Sequence, residues 1–288
     1  MRRRRTATIA TIGLLLGILA ACAAAPVPEP VDLDDLEPAP GLGEVATIGA
    51  LGDSMTLGVN ACAEPGRCMA ASWATGDDPA VGSIAMRVGA ASGAVPDTVN
   101  SAKDGGTVAD AVARVDEVIA AQPELVLLLL GGNDVCDADV DGMTSVDDFR
   151  ASYTALLAAL SEGLPDARVL ALSIPDLYRL WEVGRDDERT RQVWDSSPSC
   201  TNLLGDAAAT DAAATERRDA VAARTVELNA VIAEACAADA ACTSDGGAVF
   251  DYEFSPAEIS AIDHFHPSVE GQQVIAEIAW NTLLEAAP

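Results

Sequence analysis

Four short apolar runs punctuate the chain, at 45–51 (VATIGAL), 124–130 (ELVLLLL), 168–174 (RVLALSI) and 247–251 (GAVFD). Positions 125–130 are apolar without interruption, as in a strand buried on both faces. Between the runs, apolar residues recur at helical spacing near 78–91, 107–121, 147–162, 211–238 and 268–285. Strands alternating with helices predict one α/β domain whose parallel sheet is covered on both sides. Glycine and serine gather where the strands end, and open α/β sheets place their binding sites there.

Composition sharpens this picture. Half of the 288 residues are apolar but only 4 % are aromatic, so alanine and small aliphatics must build the core. The 45 acidic and 17 basic residues leave a formal charge of −28. A body so acidic repels phosphate backbones and anionic lipid, which excludes nucleic acid as a partner.

The N-terminus has its own pattern. Arg2 to Arg5 precede an apolar run from Ala7 to Ala21 that falls short of the roughly 20 residues needed to span a bilayer. A basic block, a short apolar stretch and small residues form an export signal. Its end, Leu19-Ala20-Ala21-Cys22, resembles the bacterial lipoprotein signal. That resemblance implies removal of residues 1–21 and lipidation of Cys22, which would hold the protein on the outer face of the cell membrane. Ordinary cleavage after Ala25, giving a secreted protein, is the alternative. Losing residues 1–21 removes four arginines and no acid, which moves the charge from −28 to −32. Residues 22–44 are rich in proline and acid and read as a tether, leaving 45–288 as the folded domain.

Beyond Cys22 there are six cysteines: Cys62, Cys68, Cys136, Cys200, Cys236 and Cys242. An even set in an exported chain predicts disulfides. Zinc is the competing reading, but no Cys-x-x-Cys occurs and the histidines lie elsewhere. Cys62/Cys68 and Cys236/Cys242 each bracket a short loop. The pairing expected among the 15 possible is 62–68, 136–200 and 236–242.

Candidate chemistry begins with the two histidines, His264 and His266, the natural sources of a base near neutral pH. Asp263, three residues before His266, is within reach of its ring in a turn. Ser54, in Gly52-Asp53-Ser54, follows the first strand, where its hydroxyl can stand above the sheet; a plain N-cap is the simpler role. Gly131-Gly132-Asn133-Asp134 closes the most buried strand, and Asp104-Gly105-Gly106-Thr107 precedes a helix with Thr107 and Asp110 spaced for capping. Each feature alone also fits an ordinary turn or cap.

Taken in order, "LGDSMTLG", "NSAKDGGTV", "LLLLGGNDVC" and "DHFHPSVEG" resemble the four blocks of the SGNH (GDSL-type) hydrolases, over about residues 47–284. "SWATG", "GGNDVC" and "AWNTLLE" resemble the phospholipase-B-like branch. The resemblance implies a three-layer α/β/α, flavodoxin-like fold with a central parallel sheet. It also implies hydrolysis of carboxylic esters without metal or cofactor. Ser54 would be the nucleophile, His266 the general base and Asp263 its orienting partner. The backbone N–H groups of Ser54 and Gly105 and the side-chain amide of Asn133 would form the oxyanion hole. Gly106 also fits the second block, and Asp104 stands where a small residue is expected. His264 matches no catalytic position and is assigned to packing or the surface. Lipid or phospholipid acyl esters are the expected substrates of a monomeric enzyme. A deacetylase of cell-wall or plant polysaccharide, or a non-catalytic ligand-binding lipoprotein, are the alternatives.

Overall fold

The computed structural model describes residues 30–33, 36 and 41–286. The expected signal segment 1–21, Cys22 and most of the expected tether lie outside these residues. Strands β1 (Thr47–Gly52), β2 (Asp97–Asn100), β3 (Leu125–Leu129), β4 (Arg168–Leu172) and β5 (Cys242–Ser244) form one all-parallel sheet in the order β2-β1-β3-β4-β5. This is the flavodoxin-like order, with its topological switch point between β1 and β3.

Ten helices connect and cover the strands among the described residues: α1 (Ile84–Ser92), α2 (Val108–Ile119), α3 (Gly132–Val135), α4 (Val146–Gly163), α5 (Leu177–Gly184), α6 (Glu188–Asp195), α7 (Thr201–Leu204), α8 (Ala212–Ala237), α9 (Ala248–Asp251) and α10 (Val269–Glu285). The period-2 alternation of β3 divides its side chains between two cores. Val126 and Leu128 pack with α2, α4 and α8, whereas Leu125, Leu127 and Leu129 pack with α1 and α10. Both faces are therefore dry, which is why β3 carries no polar residue. Burying each of these leucines stabilises the fold by roughly 1.5–3 kcal/mol. The expected pair Thr107 and Asp110 forms a reciprocal capping box that starts α2.

Three expectations are corrected. Residues 247–251 are not a strand: Gly246 and Gly247 have φ of 64° and 96°. The Asp245 carboxylate then accepts from the N–H groups of Gly247 and Val249, winding the chain into α9. The fifth strand lies just upstream, where the Cys236–Cys242 disulfide turns the chain from α8 back to β4. The helix expected from 78 starts only at Ile84, where Ser83 accepts from the Met86 N–H. The expected tether ends earlier than 44, since Leu42 is fully buried in the core. Sequence reasoning also left β2, α5 and α6 unassigned. β2 is a short, half-exposed edge strand with two polar ends, and it has no apolar signature.

Candidate active site

The expected site residues come together at the C-terminal ends of the first three strands, around the switch point. After β1 the chain turns sharply, with the Ser54 carbonyl accepting from the N–H groups of Leu57 and Val59. Glycine is required at position 52, because a Cβ there would lie 2.1 Å from Thr56 Oγ1. The buried amide of Gln272 on α10 donates to the Met55 carbonyl, and Asn100 on β2 donates to that of Thr56. These bonds fix Ser54, which is 5 % exposed.

The loop before α10 supplies the histidine. Asp263 Oδ1 accepts from the N–H groups of Phe265 and His266, closing a tight turn around its own carboxylate. His266 Nδ1 then lies 2.5 Å from Asp263 Oδ2, and His266 Nε2 lies 2.8 Å from Ser54 Oγ, across 212 residues of sequence. With Nδ1–H given to the carboxylate, Nε2 is left as the acceptor for the serine proton. Phe265 packs edge-on against the His266 ring with centroids 5.0 Å apart. Burial raises the Asp263 pKa, but the hydrogen bond and charge of His266 and the hydrogen bond from Asn60 outweigh it, so the carboxyl stays below its usual range.

Ser54, Asp104, Gly105, Asn133 and His266 line one cavity of about 310 Å³. The choice between the two glycines is structural. Lys103 to Gly106 form a β-turn in which the Gly106 N–H donates to the Lys103 carbonyl and Gly105 takes the left-handed position with φ of 67°. The Gly105 N–H has no acceptor among the described residues, so it is the one left to meet a ligand. Asn133 donates one amide hydrogen to the Gly106 carbonyl at 3.0 Å, which leaves its second for a bound oxygen. Asp104 is exposed at the cavity wall, where its charge is solvated.

His264 is separate from this centre. It lies in the left-handed region with φ of 53°, its carbonyl accepts from the Trp194 indole, and its ring lines a different cavity of about 420 Å³. The six body cysteines form the disulfides 62–68, 136–200 and 236–242, and Cys136 and Cys200 stand in the wall of the site cavity. No group of three or more His, Cys, Asp or Glu among the described residues is arranged to hold a metal ion.

Sequence reasoning missed three residues here. Asn60 donates to Asp263 Oδ2 at 2.6 Å. Asp53 and Asp134 are buried next to Ser54 and Asn133, each with one carboxylate oxygen lacking a partner among the described residues. Burial pushes Asp53 up to about 7, despite the Met55 N–H and the nearby His266. It raises Asp134 as well, despite the Val108 N–H. Their only sequence signal was adjacency to the motif residues.

A serine hydroxyl on an imidazole, at the strand ends of a doubly covered parallel sheet, is the arrangement of a serine hydrolase, and the family match narrows the class to carboxylic ester hydrolases. The chain belongs to the GDSL-like lipase/acylhydrolase family, whose model matches residues 50–274. The fold is similar to that of a lipase/acylhydrolase from Enterococcus faecalis, at 20 % identity and a TM-score of 0.51, over 82 % of this chain and 95 % of that one. It is likewise similar to an acetyl xylan esterase from Geobacillus stearothermophilus, at 18 % identity and a TM-score of 0.52, over 83 % and 94 %. No curated protein matches the sequence.

Proposed function

We propose that the protein is an exported serine esterase that works through an acyl-enzyme on Ser54. One observation carries this reading: the unbroken hydrogen-bond chain from Asp263 through His266 to Ser54, opening onto a polar cavity. His266 takes the Oγ proton as Oγ attacks the ester carbonyl, and Asp263 stabilises the imidazolium. The resulting oxyanion is met by the N–H groups of Ser54 and Gly105 and the amide of Asn133. His266 then protonates the departing alkoxide and later deprotonates the water that releases the acid.

The cavity favours a small acyl group on a polar alcohol. Its walls carry Asp104, Asn133, Asp137 and Ser199 besides Ser54 and His266. Deacetylation of a hydroxyl-rich polymer such as a polysaccharide fits these walls. Lipid and phospholipid acyl esters are the second reading, favoured by an apolar slot of about 60 Å³ behind Phe265, lined by Met55, Leu177, Leu180, Phe254 and Ile259. Export, and anchoring through Cys22, are supported by the pattern of residues 1–21 and by the three disulfides.

A panel of p-nitrophenyl esters from acetate to palmitate tests both parts. Acetate or butyrate should give the highest kcat/KM, and a maximum at long chains would select the lipid reading. Ser54→Ala and His266→Ala should each lower kcat on the order of 10⁶-fold, and the double variant little further. A wild-type protein without turnover on any ester would mean a binding protein instead.

A further inference from the structure

The Cys62–Cys68 loop is joined to Asp263 through one side chain, that of Asn60. Asn60 Nδ2 donates to Asp263 Oδ2 at 2.6 Å, the same oxygen that His266 Nδ1 meets at 2.5 Å. The amide's orientation is fixed by its other end, because Asn60 Oδ1 accepts from the Gly66 N–H at 2.7 Å and only an oxygen can do so. The Asn60 backbone N–H donates to the Gly66 carbonyl, also at 2.7 Å, and the Asn60 carbonyl accepts from Ser260 Oγ. Gly66 sits inside the disulfide-closed loop, and the Cys68 N–H returns to the Gly58 carbonyl. Asn60 itself holds a left-handed φ of 56°, a conformation asparagine tolerates better than most residues. Every polar group of Asn60 is thus engaged, and its engagements join the loop to the carboxylate.

We infer that Asn60 is a positioning residue for Asp263, anchored by the Cys62–Cys68 loop, and that it tunes the proton affinity of the Asp263–His266 couple. The inference rests on the Ser54–His266–Asp263 reading. With Asn60 in place, the Asp263 carboxylate receives four donors: two backbone N–H groups, the imidazole and the amide. Four is its full accepting capacity, so the carboxylate has one orientation. The amide also places a positive dipole end on the couple. That dipole favours the charged carboxylate of Asp263, so its loss should raise the affinity of the couple for a proton. The other carboxylates near His266 are Asp53 beneath Ser54 and Asp104 and Asp137 on the cavity wall. Changes at Asn60 leave all three in place.

The test compares pH profiles of kcat/KM on a soluble short-chain ester for wild type, Asn60→Gly, Asn60→Asp and Asp263→Ala. Asn60→Gly deletes the amide without straining the backbone. Asn60→Asp keeps the acceptor for Gly66 but sets a second carboxylate against Asp263. A hydrogen bond to a charged group is worth about one pK unit, so the acid limb should move up by about one pH unit in Asn60→Gly and further in Asn60→Asp. At the optimum, kcat should fall about 10²-fold with KM nearly constant, as for a small misplacement of the base. Acid limbs unmoved in both variants would overturn the inference even if activity fell, since that is what a purely structural asparagine would do. If Asp263→Ala retains full activity, the reading of the site fails first, and that result is distinguishable from a failure at Asn60 alone.

Discussion

Asn133 and Gly106 are joined directly, the asparagine amide donating to the glycine carbonyl at 3.0 Å, so the turn after β3 holds the turn after β2. Asn133 therefore anchors the Gly105 loop while lining the cavity, and the proposed oxyanion role falls to its second amide hydrogen. Replacing it with alanine should cost about 10²–10³ in kcat with KM little changed. Steady-state kinetics decides this. A rise in KM at constant kcat would recast Asn133 as a substrate-binding residue.

Burial raises the proton affinity of Asp53, and this has a measurable cost. Its pKa rises on folding from 3.8 to about 7. Between those values the folded state keeps a proton that the unfolded state has lost, so stability falls as pH rises, and the loss is complete above about 7. The full penalty is on the order of 4 kcal/mol. Asp53→Asn keeps the acceptor for the Met55 N–H and never ionises. Its stability advantage over wild type, measured by urea unfolding, should widen by roughly 2 kcal/mol between pH 5.5 and pH 8.5. An advantage that is constant or shrinks with pH would show that Asp53 ionises freely.

The grouping of the candidate site residues was legible because Ser54, Gly105, Asn133 and Asp263/His266 each belong to a short block of sequence. Three of the four blocks follow strands β1, β2 and β3, and the last precedes α10. β3 was legible because both its faces are dry. β2 and β5 were not: one is a half-exposed edge, and the other is three half-buried residues placed by a disulfide. Asn60 could not be read from its neighbours, since its role depends on a partner 203 residues away. Asp53 was visible only as the middle of Gly-Asp-Ser, and its perturbed ionisation comes from a burial that no local pattern encodes.

The disulfides should differ in worth. Cys136–Cys200 closes a loop of 64 residues and the other two close loops of six. Loop-closure entropy then assigns about 4 kcal/mol to the first and about 2 kcal/mol to each of the others. Removing Cys136 and Cys200 together should lower Tm most and also raise KM, because both line the site cavity. Thiol titration of the unfolded, unreduced protein should find none of these six cysteines free. Two or more free thiols would contradict the pairing.

The proposed membrane anchor should depend on Cys22 alone. With a charge of −32 after loss of residues 1–21, the body cannot be held to an anionic bilayer by electrostatics. A stable anchor then needs at least two acyl chains. Cys22→Ser should release active enzyme to the medium or leave the precursor unprocessed, with unchanged turnover of soluble esters. Processed Cys22→Ser protein that stays on membranes by fractionation would refute the lipid anchor.

The proposed nucleophilic role of Ser54 is tested most directly by covalent capture with a fluorophosphonate, read by intact-protein mass and peptide mapping. The wild type should take up one phosphonyl group, located on Ser54. Labelling should be lost in Ser54→Ala and should slow by orders of magnitude in His266→Ala, which keeps the hydroxyl but lacks its base. Labelling that persists in Ser54→Ala, or maps to another residue, would contradict the account.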